Sequence, residues 1–391
     1  MDIIFPFAAT EFREDYFERK PALFPAAVLG IRDAWPVFDD ALSHVDPTPD
    51  YIKLLDGSRV GQGAFVEEYV DIGVRRRRIR KEILHARMAA GATLVVNRMD
   101  IFSPAVGDIC MQISRFAGAQ ASANGYASFG GEPATDVHWD THDVFVVQLA
   151  GRKLWKLYAP TLPLPISSQT STDRKDEVPD TVFSEQTLET GDILYVPRGW
   201  WHRVAPIDQN ETFHLAVGVH APLVLDYVIW ACANRLPADL SMRHSLAGRT
   251  IDSELIKGAC QTLAEVLRNP ANVKEFYDRS KGRERVVSPF RLGELFGAAG
   301  LGSGVLQVNS RYEEARAQMT VNGQARDLST TELSVVRAVL EWPNHDVSDL
   351  VHGLSDLDAE TAKATIRSLI ISDVLSFRPD SALAGTSQPL A

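Results

Sequence analysis

The spacing of apolar residues along this chain changes character several times, and each change predicts a different kind of structure. From residue 11 to residue 110 helical and strand periods are mixed. RKEILHARMAA, at 80–90, has helical spacing and runs into Gly91, a residue type that closes helices. ATLVVNRMD, at 92–100, is β-branched and apolar and reads as a strand. Residues 103–118 read as a second helix, with Ser103 ahead of it and Pro104 in its first turn. Between about 120 and 220 the runs shorten. VFVVQLAG, KLWKLYAP, DILYVP, HRVAP and FHLAVGVH are separated by Gly, Pro and Asp turns, which predicts a small barrel or a double-sheet sandwich.

After Pro222 the strands stop. LVLDYVIWACANRL and ELIKGACQTLAEVLRNP predict helices within 224–281. KGRER, Ser288-Pro289 and GLGSG mark 282–310 as a linker. STTELSVVRAVLEW then opens with Ser/Thr ahead of Glu332, the pattern of a capping box. Helices are expected near 330–341, 346–353 and 358–371, followed by a strand in VLSFRP. That order resembles a winged helix. The tail SALAGTSQPLA is expected to be disordered.

Composition narrows the class. A length of 391 residues fits two or three domains. With 45% apolar and 23% charged residues, the chain has material for a sizeable core. No run approaches the roughly 20 apolar residues of a membrane span. The N-terminal MDIIFPFAATEFREDYFERKP lacks the basic and apolar regions of a signal peptide. Cys110, Cys232 and Cys260 have no zinc-like spacing and read as reduced core thiols in a cytoplasmic protein. The net charge of −11 gives no strong nucleic-acid signal and permits a basic protein or peptide as substrate. One basic run stands against the trend. RRRRIRK, Arg75 to Lys81, reads as the solvated face of a helix, with a binding patch as the alternative.

The candidate chemistry lies in VHWDTHDVFVVQLAGRK and GDILYVPRGWWHRV. Residues two apart on a strand share a face, so His138 and Asp140 are expected to project into one cavity. His202 follows a Pro-Arg-Gly turn, where a barrel can bring it opposite them. Two imidazoles and one carboxylate on one face of a metal, with other positions open, form the facial triad of non-haem Fe(II) oxygenases. His142, four residues after His138, is expected on the same face near the mouth. His214 and His220 fall on the following strand, where His214 is a candidate co-substrate group. Lys153 can point back into the barrel and pair there with a ligand carboxylate, while Arg152 points away. Tyr126, Ser128 and Thr135 lie on the approach to the motif as hydroxyl candidates for the same carboxylate.

On these residues the resemblance is to the JmjC domain of cupin-type Fe(II)- and 2-oxoglutarate-dependent oxygenases, on its ribosomal-oxygenase branch, whose members carry HxDxxDVFxxQxxGxxxW. GATLVVNRMDIFSPAV, ANGYAS and FREDYFERKPALF resemble that branch too. The resemblance implies an α+β architecture. A double-stranded β-helix (jelly-roll or cupin) oxygenase domain would occupy 1–222, a helical dimerisation region 223–285 and a winged-helix domain 300–380. It implies Fe(II) on His138, Asp140 and His202, and 2-oxoglutarate on Lys153, with O2 as oxidant. Thr135 matches a hydroxyl position and Tyr126 an aromatic one near the co-substrate. Asp143 matches a recurrent aspartate, structural or substrate-facing. Val144 replaces an asparagine of some related hydroxylases, and the bulky pair Trp200-Trp201 is expected to narrow or reshape the pocket.

The implied reaction hydroxylates a side chain of a protein substrate, by analogy a ribosomal protein arginine or histidine, in a homodimeric enzyme. A peptide or small molecule of a biosynthetic pathway is the alternative substrate. A non-catalytic binding protein would be expected to have a broken triad, and this one is unbroken. A transcription regulator acting through the winged helix would need a basic recognition surface, whereas 346–371 is acidic overall.

Overall fold

The computed structural model describes residues 1–130, 136–207, 210–246, 254–285, 288–297, 300–309, 315–343 and 345–380. Thr135 and the 381–391 tail lie outside the described residues. The chain separates into two compact units, Met1–His220 and Ala221–Ala391.

The first unit opens with β1 (Asp2–Ile3), α1 (Ala9–Asp15), β2 (Ala22–Phe24), β3 (Val28–Leu29), α2 (Trp35–His44), β4 (Ile52–Asp56) and β5 (Ser58–Arg59). A hairpin of β6 (Val66–Asp71) and β7 (Val74–Ile79) follows, then α3 (Lys81–Ala89), β8 (Thr93–Val96), α4 (Met99–Phe102) and α5 (Pro104–Ala117). The barrel strands come last: β9 (Gln120–Phe129), β10 (Asp143–Ala150), β11 (Lys153–Tyr158), β12 (Ser184–Leu188), β13 (Ile193–Val196), β14 (Trp201–Pro206) and β15 (Glu211–His220).

These strands build two facing sheets, as expected of a double-stranded β-helix. The larger sheet has the order β2-β13-β10-β15-β9-β8-β4-β5 and the smaller β12-β11-β14. Sequence pattern and position agree. VFVV in β10 is continuously apolar because it is buried on both faces at the middle of the large sheet. KLWKLY in β11 alternates, because the small sheet turns Lys153, Trp155 and Leu157 inward and leaves the residues between them half-exposed. Val144, Val146, Leu194 and Val196 of one sheet pack with Trp155, Leu157 and Leu188 of the other. On the opposite face of the large sheet, Phe145 and Tyr195 join Phe12, Phe24 and Phe116 in one aromatic cluster. The helix α5 covers that face. Its buried Val106, Ile109, Cys110, Ile113 and Phe116 recur at helical spacing, and it ends at Gly118 in the left-handed conformation.

Three local expectations change. RRRRI is a strand, not a helix: it pairs antiparallel with VEEYVD across a two-residue turn. The β-branched residues at both ends and the Ile72-Gly73 turn, both at positive φ, favour the hairpin. The strand over 92–100 stops at Val96, and Arg98 in the left-handed region starts α4. Of the three free cysteines only Cys110 is buried; Cys232 is half-buried and Cys260 exposed.

The second unit contains α6 (Val224–Asn234), α7 (Glu254–Arg268), α8 (Pro270–Arg283), α9 (Leu292–Phe296), β16 (Gly304–Val308), β17 (Gln318–Val321), β18 (Gln324–Asp327), α10 (Thr330–Glu341), α11 (Val347–Gly353), α12 (Ala359–Ile371) and β19 (Leu375–Pro379). Ser329 and Glu332 form the expected reciprocal cap on α10. The stretch 282–310 is more than a linker. Leu295 of α9 and Leu306 and Val308 of β16 enter the same core as Val335, Val339, Ile366, Leu369 and Phe377, and β16 pairs with β19. No described helix is long and apolar enough to cross a membrane.

Candidate metal centre

The centre is assembled by a backbone contact between two segments far apart in sequence. His138 and His202 form an isolated antiparallel bridge: His138 N donates to His202 O at 3.1 Å and His202 N to His138 O at 2.8 Å. The imidazoles therefore lie side by side, with ring centroids 4.3 Å apart. Only His138 of the HxD segment is paired in this way. The chain from Trp139 to His142 is irregular, because Gly199 N donates to Asp140 O at 3.0 Å and draws it towards the turn before β14. HxD thus does not ride on a regular strand as the period-two reading expected, yet Asp140 Oδ2 still reaches within 3.7 Å of His202 Nε2. Gly199 is required in that turn. Its φ is +84° and an added Cβ would lie 2.6 Å from Leu162 O.

Each histidine has one nitrogen committed. Nδ1 of His138 meets Asp136 O at 2.8 Å, and Nδ1 of His202 meets Trp200 O at 3.1 Å. A carbonyl accepts, so both Nδ1 atoms carry the proton and both Nε2 lone pairs are free for a metal. Burial and the neighbouring His138 pull His202 down to about 4, which keeps it neutral. One ligand atom from each of His138, Asp140 and His202 lies within 4.8 Å of the others. Two neutral imidazoles and a carboxylate suit a divalent first-row metal.

The same cavity extends between the sheets. It encloses about 100 Å³ and is lined among others by Tyr126, Ser128, Lys153, Trp155 and His214. That is room for several waters at about 10–15 Å³ each. Lys153, 6% exposed, is the cation at its inner end. Burial pushes it down to about 8. Among the described residues it forms no ion pair, and its one polar neighbour is His214 Nδ1 at 3.4 Å. Burial and then Lys153 hold His214 well below the usual histidine range, so it stays neutral and can accept from the ammonium. Tyr126 stacks on His214 at 5.0 Å and is pushed up to about 12, first by burial and then by Asp140. It remains a phenol. The Ser128 and Thr212 hydroxyls are 3.0 Å apart. A buried ammonium without a carboxylate partner among the described residues, in a cavity that Tyr126 and Ser128 also line, is equipped to take the carboxylate of a ligand.

Residues 97–227 match the family model described as "JmjC domain". Over this stretch the chain is similar to a JmjC domain. Among curated proteins it is similar to the bifunctional lysine-specific demethylase and histidyl-hydroxylase NO66 of Brugia malayi, at 30% identity, with 45% of this chain and 26% of that protein covered. It is also similar to ribosomal oxygenase 2 of Rattus norvegicus, at 26% identity, covering 50% of this chain and 42% of that protein. The chain thus spans less than half the length of these relatives. Among solved structures, the Escherichia coli ribosomal oxygenase YcfD shares the fold, with TM-score 0.56 at 16% identity over 97% of this chain and 100% of that one. Its complex with cobalt and 2-oxoglutarate gives TM-score 0.54 at the same identity, over 96% and 99%.

Other expected residues take different places around the cavity. Arg152 points outward and pairs with Glu189. His142 does not line the cavity; it stacks on His220, 5.1 Å away. Val144 does line it, while Trp200 and Trp201 do not and so neither narrows it. Trp200 packs on Phe183 and into the core between the sheets. Trp201 lies against Trp139 and donates from Nε1 to Thr161 Oγ1 at 2.9 Å. With His202 pointing inward, the residue before it must face the other way.

Asp143 belongs to a buried network next to the JmjC centre. Tyr195 donates its phenol proton to Asp143 Oδ1 at 2.6 Å and accepts Glu18 N at 2.8 Å. Arg198 pairs with Glu18 at 2.6 Å. Burial pushes Asp143 up to about 6 despite that hydrogen bond. Trp155 is one of the lining residues that sequence reading missed. Its ring lies 5.7 Å from that of His202. The signal was present, since Trp155 shares the inward face of β11 with Lys153, two residues before it.

Proposed function

We propose that this chain is an Fe(II)- and 2-oxoglutarate-dependent oxygenase that hydroxylates a side chain of a protein substrate and releases succinate and CO2. One observation carries the reading. A triad with both Nε2 atoms free lies in one cavity with a buried lysine that has no carboxylate partner among the described residues. The metal would sit on His138, Asp140 and His202, and with 2-oxoglutarate and O2 it would supply the oxidising chemistry. The protein's own part is placement. The carbonyls of Asp136 and Trp200 fix the two imidazoles, and Asp140 supplies the one negative ligand. Lys153 holds the far carboxylate of the co-substrate, with Tyr126, Ser128 and His214 around it. Thr135 is proposed for the same group. Val144, Val146, Val196 and Ala216 keep the cavity wall apolar and exclude water.

The substrate proposed is an arginine or histidine side chain of a ribosomal protein. Its support is the similarity to proteins named ribosomal oxygenases. A cytoplasmic site of action fits that substrate. The 1–222 stretch is read as the oxygenase domain, 223–285 as a dimerisation region and 300–380 as a winged-helix protein-contact module. The dimer reading draws support from Val224, Leu225 and Ile229, large apolar residues of α6 that are exposed in the single chain.

The test is succinate formation with iron, 2-oxoglutarate and ribosomal protein extract, read together with the gain of one oxygen mass on a product peptide. Asp140→Ala is expected to lower turnover by more than about 100-fold, in the range seen when a group central to catalysis is removed. An Asp140→Ala protein that turns over 2-oxoglutarate normally sinks the proposal.

A further inference from the structure

The β6–β7 hairpin has no role in the oxygenase chemistry and is built unlike the rest of the unit. Its two strands pair only with each other. Phe65 and Val66 bury the root, and beyond them the ribbon is exposed on both faces. Six residues per strand give it a reach of about 20 Å. Register divides its arginines between the faces. Arg75 and Arg77 lie on one face with Glu68, and Arg76 and Arg78 on the other with Glu67 and Asp71. All four side chains are exposed, from 40% for Arg77 to 77% for Arg75.

The tip is the second observation. Ile72 is 96% exposed at φ +47°, with Val70 and Val74 exposed beside it. A β-branched residue is strained in that conformation, and Asn or Asp would suit the turn better. A strained, solvent-facing isoleucine stabilises nothing within the chain. Strain of this kind points to a binding role, and an apolar tip ringed by charge marks a contact surface.

We propose that this hairpin is an arm that docks into the groove of a structured RNA. Arginines on both faces suit a partner with phosphates on two walls, which an RNA stem provides where an internal loop or bulge opens its otherwise narrow major groove. A membrane surface would engage one face and leave the other pair of arginines in water. Apart from Tyr69 the ribbon's polar side chains are all charged, and its arginines suit contacts to phosphate. The arginines pair with Glu67, Glu68 and Asp71 in the free chain. Exposed pairs of this kind hold little free energy and exchange readily for phosphate. The chain's overall negative charge does not forbid this. At physiological salt, charges more than about 8 Å apart are largely screened from each other, and the arm is longer than that.

The test is fluorescence anisotropy of the full chain with a labelled RNA stem of about 16 base pairs interrupted by an internal loop. It needs no turnover, so it stands or falls separately from the oxygenase reading. Four phosphate contacts predict binding that weakens on the order of 50- to 150-fold between 50 and 200 mM salt. Replacing Arg75, Arg76, Arg77 and Arg78 together by Gln is expected to weaken binding at least tenfold and flatten that salt dependence, with the circular dichroism melt unchanged. Ile72→Asn is expected to weaken binding about two- to fivefold. The proposal is overturned if the wild type does not bind below about 100 µM, the weak limit of non-specific association. Equal binding by the fourfold Gln variant also overturns it, as does tighter arginine-dependent binding to duplex DNA or to phosphatidylglycerol vesicles than to the RNA.

Discussion

Burial gives Lys153 a chemistry that its residue type alone does not. Its ammonium sits in an apolar wall with His214 as its polar neighbour, and its affinity for a proton falls. A charge-assisted contact to a ligand carboxylate contributes about 1.5–3 kcal/mol. Lys153→Ala is therefore expected to raise KM for 2-oxoglutarate about 10- to 100-fold, measured by succinate release at fixed iron. The folded value of about 8 lies below the usual 10.5, so the unfolded chain binds the proton more tightly between them. Stability from this group rises with pH across that window, while co-substrate affinity, which needs the ammonium, falls above about pH 8. Asp143 shows the opposite case for an acid. Its folded value of about 6 lies above the usual 3.8, so keeping the carboxylate charged costs on the order of 3 kcal/mol at pH 8. Asp143→Asn keeps an oxygen to accept from Tyr195 without the charge. It is expected to melt higher than wild type at pH 8, with the advantage shrinking as pH falls through 6 towards 4, followed by thermal denaturation at several pH values.

At the scale of elements, the short strands, the helix opened by Pro104 and the Ser329–Glu332 cap were legible because each is set by neighbours within a few residues. The arginine run was not. Four arginines in a row carry no apolar period, so helix and strand patterns fit it equally. The pairing with VEEYVD is what decides. The turn supplies a direct check. Replacing Ile72 by Asn relieves the left-handed strain by up to about 1 kcal/mol. Hydrogen exchange of the 66–79 amides is expected to slow several-fold in Ile72→Asn, and unchanged exchange would mean that the isoleucine is not strained there. The irregular path of Trp139–His142 was likewise hidden, because it follows from the long-range bond between Gly199 N and Asp140 O.

For the whole molecule, the two units bury their apolar residues differently. The first has a core between its sheets and another under α5. In the second, α10–α12 with β16–β19 form one core, while α7 buries no residue fully and α6 leaves Val224, Leu225 and Ile229 exposed. Apolar helices left open in this way are the ground for the proposed dimer. Replacing Val224 and Ile229 together by Glu is expected to halve the sedimenting mass without changing the melting curve. A variant that sediments as the wild type would rule this face out as the interface.

By itself the sequence pointed to the proposed reaction class and to the strand content, because metal ligands, turn residues and period-two apolar runs act through their own chemistry and immediate neighbours. It named His138, Asp140, His202 and Lys153. It could not say that His138 and His202 meet through a backbone bridge, that Trp155 joins the wall, that Trp200 and Trp201 turn away, or that RRRRI forms half of an exposed ribbon. Those outcomes depend on which distant segment packs against which, and only the tertiary structure decides that.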